Sequence, residues 1–282
     1  MTVVETPSGA AGEMADAELA EAEVMYAFES GAPDTTRDAL GIATTRLGGG
    51  VVLSMRNDPA GGYWNKALGF GVTEPVTREL VGDVLDFYRA NGSTVACLQV
   101  APAALPPDWS DICIELGLED RSAWVKLVRD ASPAPQASTD LRVGPVTEES
   151  ALEWATVFCT AFGMPLGHLV PMVAAVVHTP GFHPLAAWDG DRVVAGANLY
   201  LTGDRASFCG AATLEQARGR GAQSVFFRDR VELARLHAAR VLVAETYTED
   251  EGEHNPSLHN MHRIGFRDLY VRHNWVWHAT PR

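Results

Sequence analysis

A glycine-rich segment with two arginines carries the clearest chemical signal in the sequence. It runs from Arg218 to Ser224, and its glycines, Gly219 and Gly221, alternate with Arg218 and Arg220. A strand is predicted before it and an amphipathic helix after it. Glycines let a backbone approach a ligand closely, while free amides and the helix dipole attract a phosphate. The segment is a candidate anion site, although a tight strand-to-helix turn has the same pattern.

Two common phosphate motifs do not fit this segment. Its glycines are not followed by the Lys-Ser or Lys-Thr pair that a Walker loop requires. The acidic residue that a dinucleotide fold places about 20 positions after its GxGxxG is also absent. The segment therefore indicates another phosphate-bearing ligand.

A second segment downstream makes the first more specific. It runs from Asn255 to Phe266 and contains an Asn, a short predicted helix and the pair Gly265-Phe266. Together the two segments resemble the acyl-CoA motifs of GNAT acetyltransferases, whose loop pattern is Arg/Gln-x-x-Gly-x-Gly/Ala. Arg218 matches the first position of that pattern and Gly221 the fourth. The resemblance covers about 141–278, and it implies acetyl-CoA as co-substrate with no metal.

The resemblance also implies how acyl-CoA is held. The strand before the loop would pair with pantetheine, and the Leu214 amide would polarise the thioester carbonyl and hold the oxyanion. Asn255 would bond the pantetheine arm, cap the next helix, or do both. Gln223 departs from the pattern, because Gly or Ala is usual there. The implied contacts are Thr213, Leu214, Arg218, Gly219, Arg220, Gly221, Ala222, Gln223, Ser224 and Asn255.

Direct acyl transfer to an amine needs a base, because the amine is protonated at pH 7, and such a base contributes about 10² to 10⁴ in rate. Glu245 is the candidate, since it ends a predicted strand where the cleft of the family opens; the alternative is a solvated strand-end charge. Tyr247 and His254 are the reserve candidates. Met261 stands where the family often has a Tyr acid, so Tyr247 or solvent would protonate the CoA thiolate.

Other reactive side chains near these segments are interpreted as structural. His254, His259 and His262 have no carboxylate or Cys at a fixed spacing, so we expect surface or cleft histidines and no metal site. Cys209 is a possible nucleophile, but a small buried strand residue fits its surroundings better. Core packing is likewise preferred to an acceptor pocket for four aromatics: Trp154, Phe158, Phe162 and Phe182.

The elements that position these residues recur along the chain. A helix over 77–90 and a strand over 95–100 match a helix over 223–239 and a strand over 241–246, at an offset of about 147 residues. The sequence therefore predicts an α/β (α+β) fold of two tandem GNAT-like domains, each a mixed, mostly antiparallel sheet flanked by helices. In the second half we expect helices over 148–162 and 170–178 and strands over 185–188, 193–201 and 206–214.

Composition indicates the domain boundaries. Residues 1–18 lack apolar periodicity and are predicted to form a loose tail. A Pro/Ser/Ala stretch over 130–139 indicates a linker, so we expect a degenerate domain over 19–135 and the acyl-CoA domain over 136–282. At the position that corresponds to the glycine-rich loop of the second domain, the first domain has residues 72–77, which include no glycine and no basic residue. We expect it to serve as support or as part of the acceptor cleft.

Charge and cysteine usage exclude some classes of function. The net charge of −14 argues against nucleic acid as a partner. The same charge attracts a cationic small molecule, or it only maintains solubility. No window approaches the roughly 18 apolar residues of a membrane span. The four dispersed cysteines indicate a reducing compartment, and we expect the cytoplasm.

These observations predict an acetyl-CoA-dependent N-acetyltransferase that acts on the amine of a small metabolite by direct attack in a ternary complex. It would work as a monomer or homodimer. Two alternatives stay open: a catalytically inactive CoA-binding sensor or structural module, and a protein N-acetyltransferase with an open acceptor groove. Acyl transfer to any amine would separate the enzyme from the inactive module.

Overall fold

The computed structural model describes residues 9–249 and 253–279, and both halves of the chain mix helices with strands. The first half contains α1 (Ala10–Ser30), α2 (Asp34–Leu40), β1 (Ile42–Leu47), β2 (Gly50–Met55), β3 (Lys66–Leu68), α3 (Arg78–Asn91), β4 (Val95–Gln99), α4 (Trp109–Leu116) and β5 (Leu118–Asp130). The second half contains β6 (Arg142–Pro145), α5 (Glu148–Ala161), α6 (Leu169–Ala174), β7 (Leu185–Asp189), β8 (Arg192–Ala197), β9 (Tyr200–Thr202), β10 (Arg205–Ser207), β11 (Ala211–Thr213), α7 (Ala222–Leu236), β12 (Val241–Tyr247), α8 (Pro256–Arg263) and β13 (Arg267–His278).

Strands from both halves share one nine-stranded sheet. Its order is β1-β2-β3-β4-β13-β5-β12-β10-β9, and its neighbours are antiparallel except for the pairs β3–β4 and β10–β12. A second, antiparallel sheet has the order β11-β8-β7-β6. Strand β13 of the second half lies between β4 and β5 of the first. The two halves are therefore joined through the middle of the larger sheet.

Helix α1 brings charged side chains into the interior. It begins at Ala10, and Asp16 and Glu18 are at most 5% exposed. The predicted loose tail is therefore wrong for residues 10–18, while 1–8 lie outside the described residues. The physical reason is pairing over long sequence distances: Asp16 bonds Arg205 at 2.8 Å, and Glu18 bonds a buried arginine of β13. Without those partners in view, the segment has the composition of a solvated tail.

The predicted elements of the second half are present, with two strands interrupted. Thr147 and Ser150 cap α5 reciprocally. The strand predicted over 206–214 is split into β10 and β11, and the one over 193–201 into β8 and β9. Residues 131–140 contain no helix or strand, and a domain boundary near 135 stays a prediction. Within the described ranges, no helix is both long and apolar enough to cross a membrane.

Candidate active site

Strands β10 and β11 follow one another but belong to different sheets. Ser207 pairs in parallel with Val243 of β12, and the Phe208 amide donates to the Val243 carbonyl at 2.8 Å. From Ala211 onward the chain pairs with β8 instead. Strand β12 meanwhile continues beside β5 as far as Tyr247. A gap therefore opens between β11 and the end of β12.

The amides of β11 alternate between its partner strand and this gap. The Leu214 amide donates to the Val194 carbonyl of β8 at 3.0 Å. In an antiparallel ladder, every second residue directs its N–H towards the partner strand. The amides of Thr213 and Ala211 therefore point away from β8 and towards the gap. Strand β11 offers two backbone donors there.

The loop before α7 presents a row of unpaired amides. Its last residue, Gly221, has φ 86° and precedes a helix without a side-chain cap. Among the described residues, the amides of 219–224 meet no acceptor, and the first bond of the helix runs from Val225 to Gly221. A Cβ on Gly221 would lie 2.3 Å from the Ser138 carbonyl oxygen, whereas Gly219 faces open space. Free donors at a helix N-terminus form an anion site.

The two arginines of the loop have different roles. Arg220 forms ion pairs with Asp140 at 2.6 Å and Asp189 at 2.7 Å, and these bonds lower the pKa of both carboxyl groups. Arg218 is exposed, and its Nε donates to the Thr213 carbonyl at 3.3 Å. Arg220 therefore anchors the loop to the smaller sheet, while the outer nitrogens of Arg218 are available to an anion.

One cavity joins the loop, the gap and the first half of the chain. Its volume is about 1010 Å³, at the upper end of the roughly 300–1,000 Å³ of ordinary ligand pockets. Thr213 and residues 217–224 line the loop end, and Glu245 and Tyr247 line the region beyond the gap. The cavity is therefore large enough to hold two substrates that meet at the gap.

Neither a protein-family model nor a curated protein matches the sequence. Solved structures do match. A tandem GNAT protein from the clavulanic acid biosynthesis pathway has a TM-score of 0.59 and 15% identity, covering 97% of this chain and 96% of its own. A GCN5-related N-acetyltransferase from Sphaerobacter thermophilus has a TM-score of 0.58 and 11% identity, with 85% and 76% covered. Another from Kribbella flavida has 0.57 and 14%, with 93% and 95% covered.

The chain has a tandem GNAT fold. This confirms the fold predicted from the sequence. Within this fold, only some of the predicted backbone contacts line the cavity. Thr213 and the loop from Arg218 to Ser224 line the cavity, but Leu214 does not. The prediction that the Leu214 amide polarises a thioester is wrong, because the register of β11 directs this amide into the ladder with β8.

In the tandem GNAT fold, Asn255 precedes α8 and is fully buried. Its Oδ1 accepts from the amides of Ser257 and Leu258, and its Nδ2 donates to the Tyr247 carbonyl at 2.7 Å. The predicted cap is confirmed. The predicted pantetheine contact is wrong, because Asn255 is 0% exposed and its polar atoms are already bonded. Asn260, which sequence reasoning missed, lines the cavity instead.

The departure at Gln223 has a structural explanation. Its Nε2 donates to the Thr213 hydroxyl at 2.8 Å, so the side chain ties the first turn of α7 to the end of β11. The side chain is thus bonded away from the turn, and its backbone amide stays among the free donors. A Gln is compatible with this loop.

Glu245 lies beside the gap in a cluster of ion pairs. Its Oε2 accepts from Lys126 and Arg272, each at 2.9 Å, and both cations also pair with Glu21. The side chain is 19% exposed, so Glu245 is not a solvated strand-end charge. Burial and the neighbouring Glu21 carboxylate raise its pKa above the ordinary value, despite the two cations. A raised pKa suits a general base.

The two reserve candidates for the base differ in whether they line the cavity. Tyr247 ends β12, is 46% exposed and lines the cavity. His254 does not line it; its ring lies 4.5 Å from that of His259.

Cys209 lines the cavity, but burial raises the pKa of its thiol to about 12, which keeps it protonated and unreactive.

The histidines do have a carboxylate neighbour, contrary to the sequence argument. Ligand atoms of Glu249, His254 and His259 lie within 4.8 Å of one another. Sequence reasoning missed Glu249 because it lies 10 residues before His259. Its Oε1 already accepts from the Asn255 amide and from His259, so these groups are bonded without an ion.

The buried charges beside Glu245 were also missed. Lys126 and Arg272 are about 1% exposed, and Glu21 belongs to α1. One signal was visible in the sequence: a lysine within the apolar run 124–128 indicates a buried ion pair, because a lone ammonium would be costly there. Its partners were not visible, since Glu21 is 105 residues away.

Proposed function

We propose that this protein is an acyl-CoA-dependent N-acyltransferase, with acetyl-CoA as the expected donor, acting on the amine of a small molecule in a ternary complex. The carrying observation is the row of unpaired amides over 219–224, which opens into the gap between β11 and β12. Support also comes from the tandem GNAT fold, since two of the similar structures are named N-acetyltransferases.

Acyl-CoA, when bound, supplies an acyl group activated as a thioester. The free amides over 219–224 and the Arg218 guanidinium would hold its phosphates. The amides of Ala211 and Thr213 would donate to the pantetheine arm and to the acyl carbonyl oxygen, where negative charge develops. These contacts orient the acyl carbon towards the acceptor side of the gap.

Glu245 would take the proton of the attacking amine. The amine nitrogen forms the new bond to the acyl carbon with its lone pair, and the bond from that carbon to sulfur breaks, with its electrons left on sulfur. The nitrogen proton passes to Glu245, directly or through water. The sulfur takes a proton from Tyr247 or from solvent. The products are an amide and the free CoA thiol.

The two predicted domains would have separate tasks. Residues 136–282 would bind acyl-CoA, and 19–135, a degenerate copy, would complete the acceptor side. A cavity with walls from both halves suits a small acceptor better than a polypeptide. The reaction would need no metal, and the four dispersed cysteines favour a reducing compartment such as the cytoplasm.

A CoA-binding module without turnover is the second candidate. Met261 favours it, because this side chain lines the cavity where the family often has a Tyr acid, and a thioether cannot donate a proton. The two candidates agree on binding and differ only on transfer.

Calorimetric titration with acetyl-CoA tests the binding step. We compare the wild type with Gly219→Asp and use Gly117→Asp as the matched control. Both glycines have left-handed φ values, 76° and 72°, and a Cβ on either meets open space. The two variants therefore share backbone strain and charge, but only Gly219→Asp puts a carboxylate among the free amides. Gly221 is unsuitable, because its Cβ would strike Ser138.

We expect micromolar binding by the wild type, equal binding by Gly117→Asp and at least about tenfold weaker binding by Gly219→Asp, or ~1.4 kcal/mol. A folded wild type that binds no acetyl-CoA overturns the proposal. Thiol release with a panel of amines then tests transfer, and binding without release to any amine favours the inactive module.

A further inference from the structure

The acceptor side of the cavity is built largely by the first half of the chain. Helix α1 contributes Val24, Met25 and Phe28, and the segment between β2 and β3 contributes Tyr63 and Trp64. All five side chains present apolar or aromatic surface. The first half therefore lends this side of the cavity an apolar wall.

Ring contacts make this wall continuous. The centroid of Phe28 lies 5.5 Å from that of Trp64, and Tyr63 meets Trp64 edge to face at 5.2 Å. On the second half, Phe158 and Phe162 of the α5 end lie 4.9 Å apart and also line the cavity. Rings in such arrangements pack well against another planar or apolar body.

The charged groups next to the wall neutralise one another. Lys126 and Arg272 each bond both Glu21 and Glu245, and Arg272 also bonds a third carboxylate. A third cation lies behind the aromatic wall, 4.6 Å from the Tyr63 ring centroid. The three carboxylates are Glu18, Glu21 and Glu245, and the three cations are Lys66, Lys126 and Arg272.

Glu21 and Glu245 are neighbours on this side, because Lys126 and Arg272 each bond the Oε2 atoms of both carboxylates. The Oε1 atom of Glu21 is buried and meets no hydrogen-bond partner among the described residues. One amine can be received at this point. A second ammonium group further along the wall would meet only apolar surface and the positive charge of Lys66, which is costly.

We propose that the acceptor carries a single amine on an apolar body, aliphatic or aromatic, and that the wall of the first half recognises that body. This rests on the proposed acyl transfer and names its substrate class. It also replaces the expectation that the net charge attracts a cationic acceptor. The charge of −14 belongs to the whole chain, whereas the buried cluster beside the acceptor is neutral. Polyamines and other polycationic amines are outside this class.

Two amines of equal chain length measure the effect of a second ammonium group on binding. Hexylamine and 1,6-diaminohexane differ by one terminal ammonium, and 2-phenylethylamine adds a ring. Binding of each is measured by calorimetry in the presence of CoA, and thiol release is measured with acetyl-CoA. We expect hexylamine and 2-phenylethylamine to bind at least about tenfold more tightly than the diamine, and to exceed it by a similar factor in kcat/KM.

Met25→Glu tests the wall itself, since Met25 is only half-buried and tolerates change better than Trp64. The new carboxylate should reduce the ratio of hexylamine to diaminohexane binding by about tenfold. Leu236→Glu, at a position 81% exposed, is the control and should leave the ratio unchanged.

The outcomes separate the two proposals. Equal or tighter binding of the diamine by the wild type overturns the substrate class, as does a ratio that Met25→Glu leaves unchanged. Selective binding of monoamines without thiol release supports the acceptor wall but overturns acyl transfer. Selective binding with release supports both.

Discussion

The two halves of the molecule build the same strand-loop-helix unit with opposite results. In the first half, the Thr77 hydroxyl accepts from the Leu80 amide and caps α3. In the second, Gly221 precedes α7 without a side-chain cap, and the amides there are free. A helix N-terminus binds an external anion only where its own sequence leaves the donors unsatisfied.

The strands beside these helices differ in the same way. Strand β3 is paired with β4, through Ala67 and Leu98, whereas β11 pairs with β8 and not with β12, which opens the gap. The fifth residue of β4 is Gln99, which is buried and bonds Asn274. The fifth residue of β12 is Glu245, with a raised pKa. The first half has no such gap in its strand pair and no carboxylate at the corresponding position of β4, and it contributes the acceptor wall and Glu21 of α1 to the cavity.

Glu245→Gln makes β12 resemble β4 at this position, and we expect the largest effect from it. Without a base, kcat should fall by about 10² to 10⁴ while acetyl-CoA affinity stays within a factor of about two. In the wild type only the deprotonated carboxylate accepts a proton. kcat/KM should therefore rise with pH through a pKa above the usual Glu value, and the variant should lose this limb.

Glu232→Gln is the control for this comparison, because the Glu232 side chain is 44% exposed and, among the described residues, pairs with Arg235 of α7 alone. Its rate and pH profile should match the wild type. An unchanged pH profile in Glu245→Gln would rule out Glu245 as the base and point to Tyr247.

Arg272→Met tests whether the halves are independent. Arg272 lies in β13, between strands of the first half, and pairs with Glu18, Glu21 and Glu245. Removing it leaves buried carboxylates without enough cations, which we expect to cost about 3–5 kcal/mol of unfolding free energy. Arg235→Met, at an exposed pair, should cost about 0–1 kcal/mol.

Urea unfolding followed by tryptophan fluorescence and by circular dichroism measures both variants. Because β13 joins the halves, the two signals should coincide in one transition. Two separate transitions, with Arg272→Met affecting one of them, would show that the halves unfold independently.

Thr77→Ala removes the cap that distinguishes α3 from α7. We expect a loss of about 1 kcal/mol in unfolding free energy, because the Leu80 amide loses its acceptor. Acetyl-CoA affinity, measured by calorimetry, should not change. A change in affinity would contradict the assignment of the acyl-CoA site to the second half.

Gln223→Ala gives the smallest expected effect. It removes one side-chain bond to Thr213, worth about 0.5–1.5 kcal/mol, and keeps the backbone donors of the loop. Acetyl-CoA affinity should stay within about threefold of the wild type, or ~0.7 kcal/mol. A much larger loss would mean that the Gln223 side chain itself contacts the ligand.

Features that depend on neighbouring residues were predictable from the sequence. The caps at Thr147 and Asn255 and the start of α7 after Gly221 follow from local residue types. The sequence predicted the surroundings of the aromatic side chains only in part. The Trp154 indole is buried and donates to a carbonyl, whereas Phe158 and Phe162 line the cavity. Residue type alone does not tell a core ring from a cavity ring.

The sequence by itself determined the tandem fold, the uncapped glycine loop and the candidate base, because periodicity, turn residues and caps act over a few neighbouring positions. Only the tertiary structure decided that Leu214 donates within its sheet, that Lys126 bonds Glu245 from 119 residues away, and that the first half faces the acceptor. The physical reason is that strand register and buried charge pairing depend on contacts between distant segments, and those contacts exist only once the chain has folded.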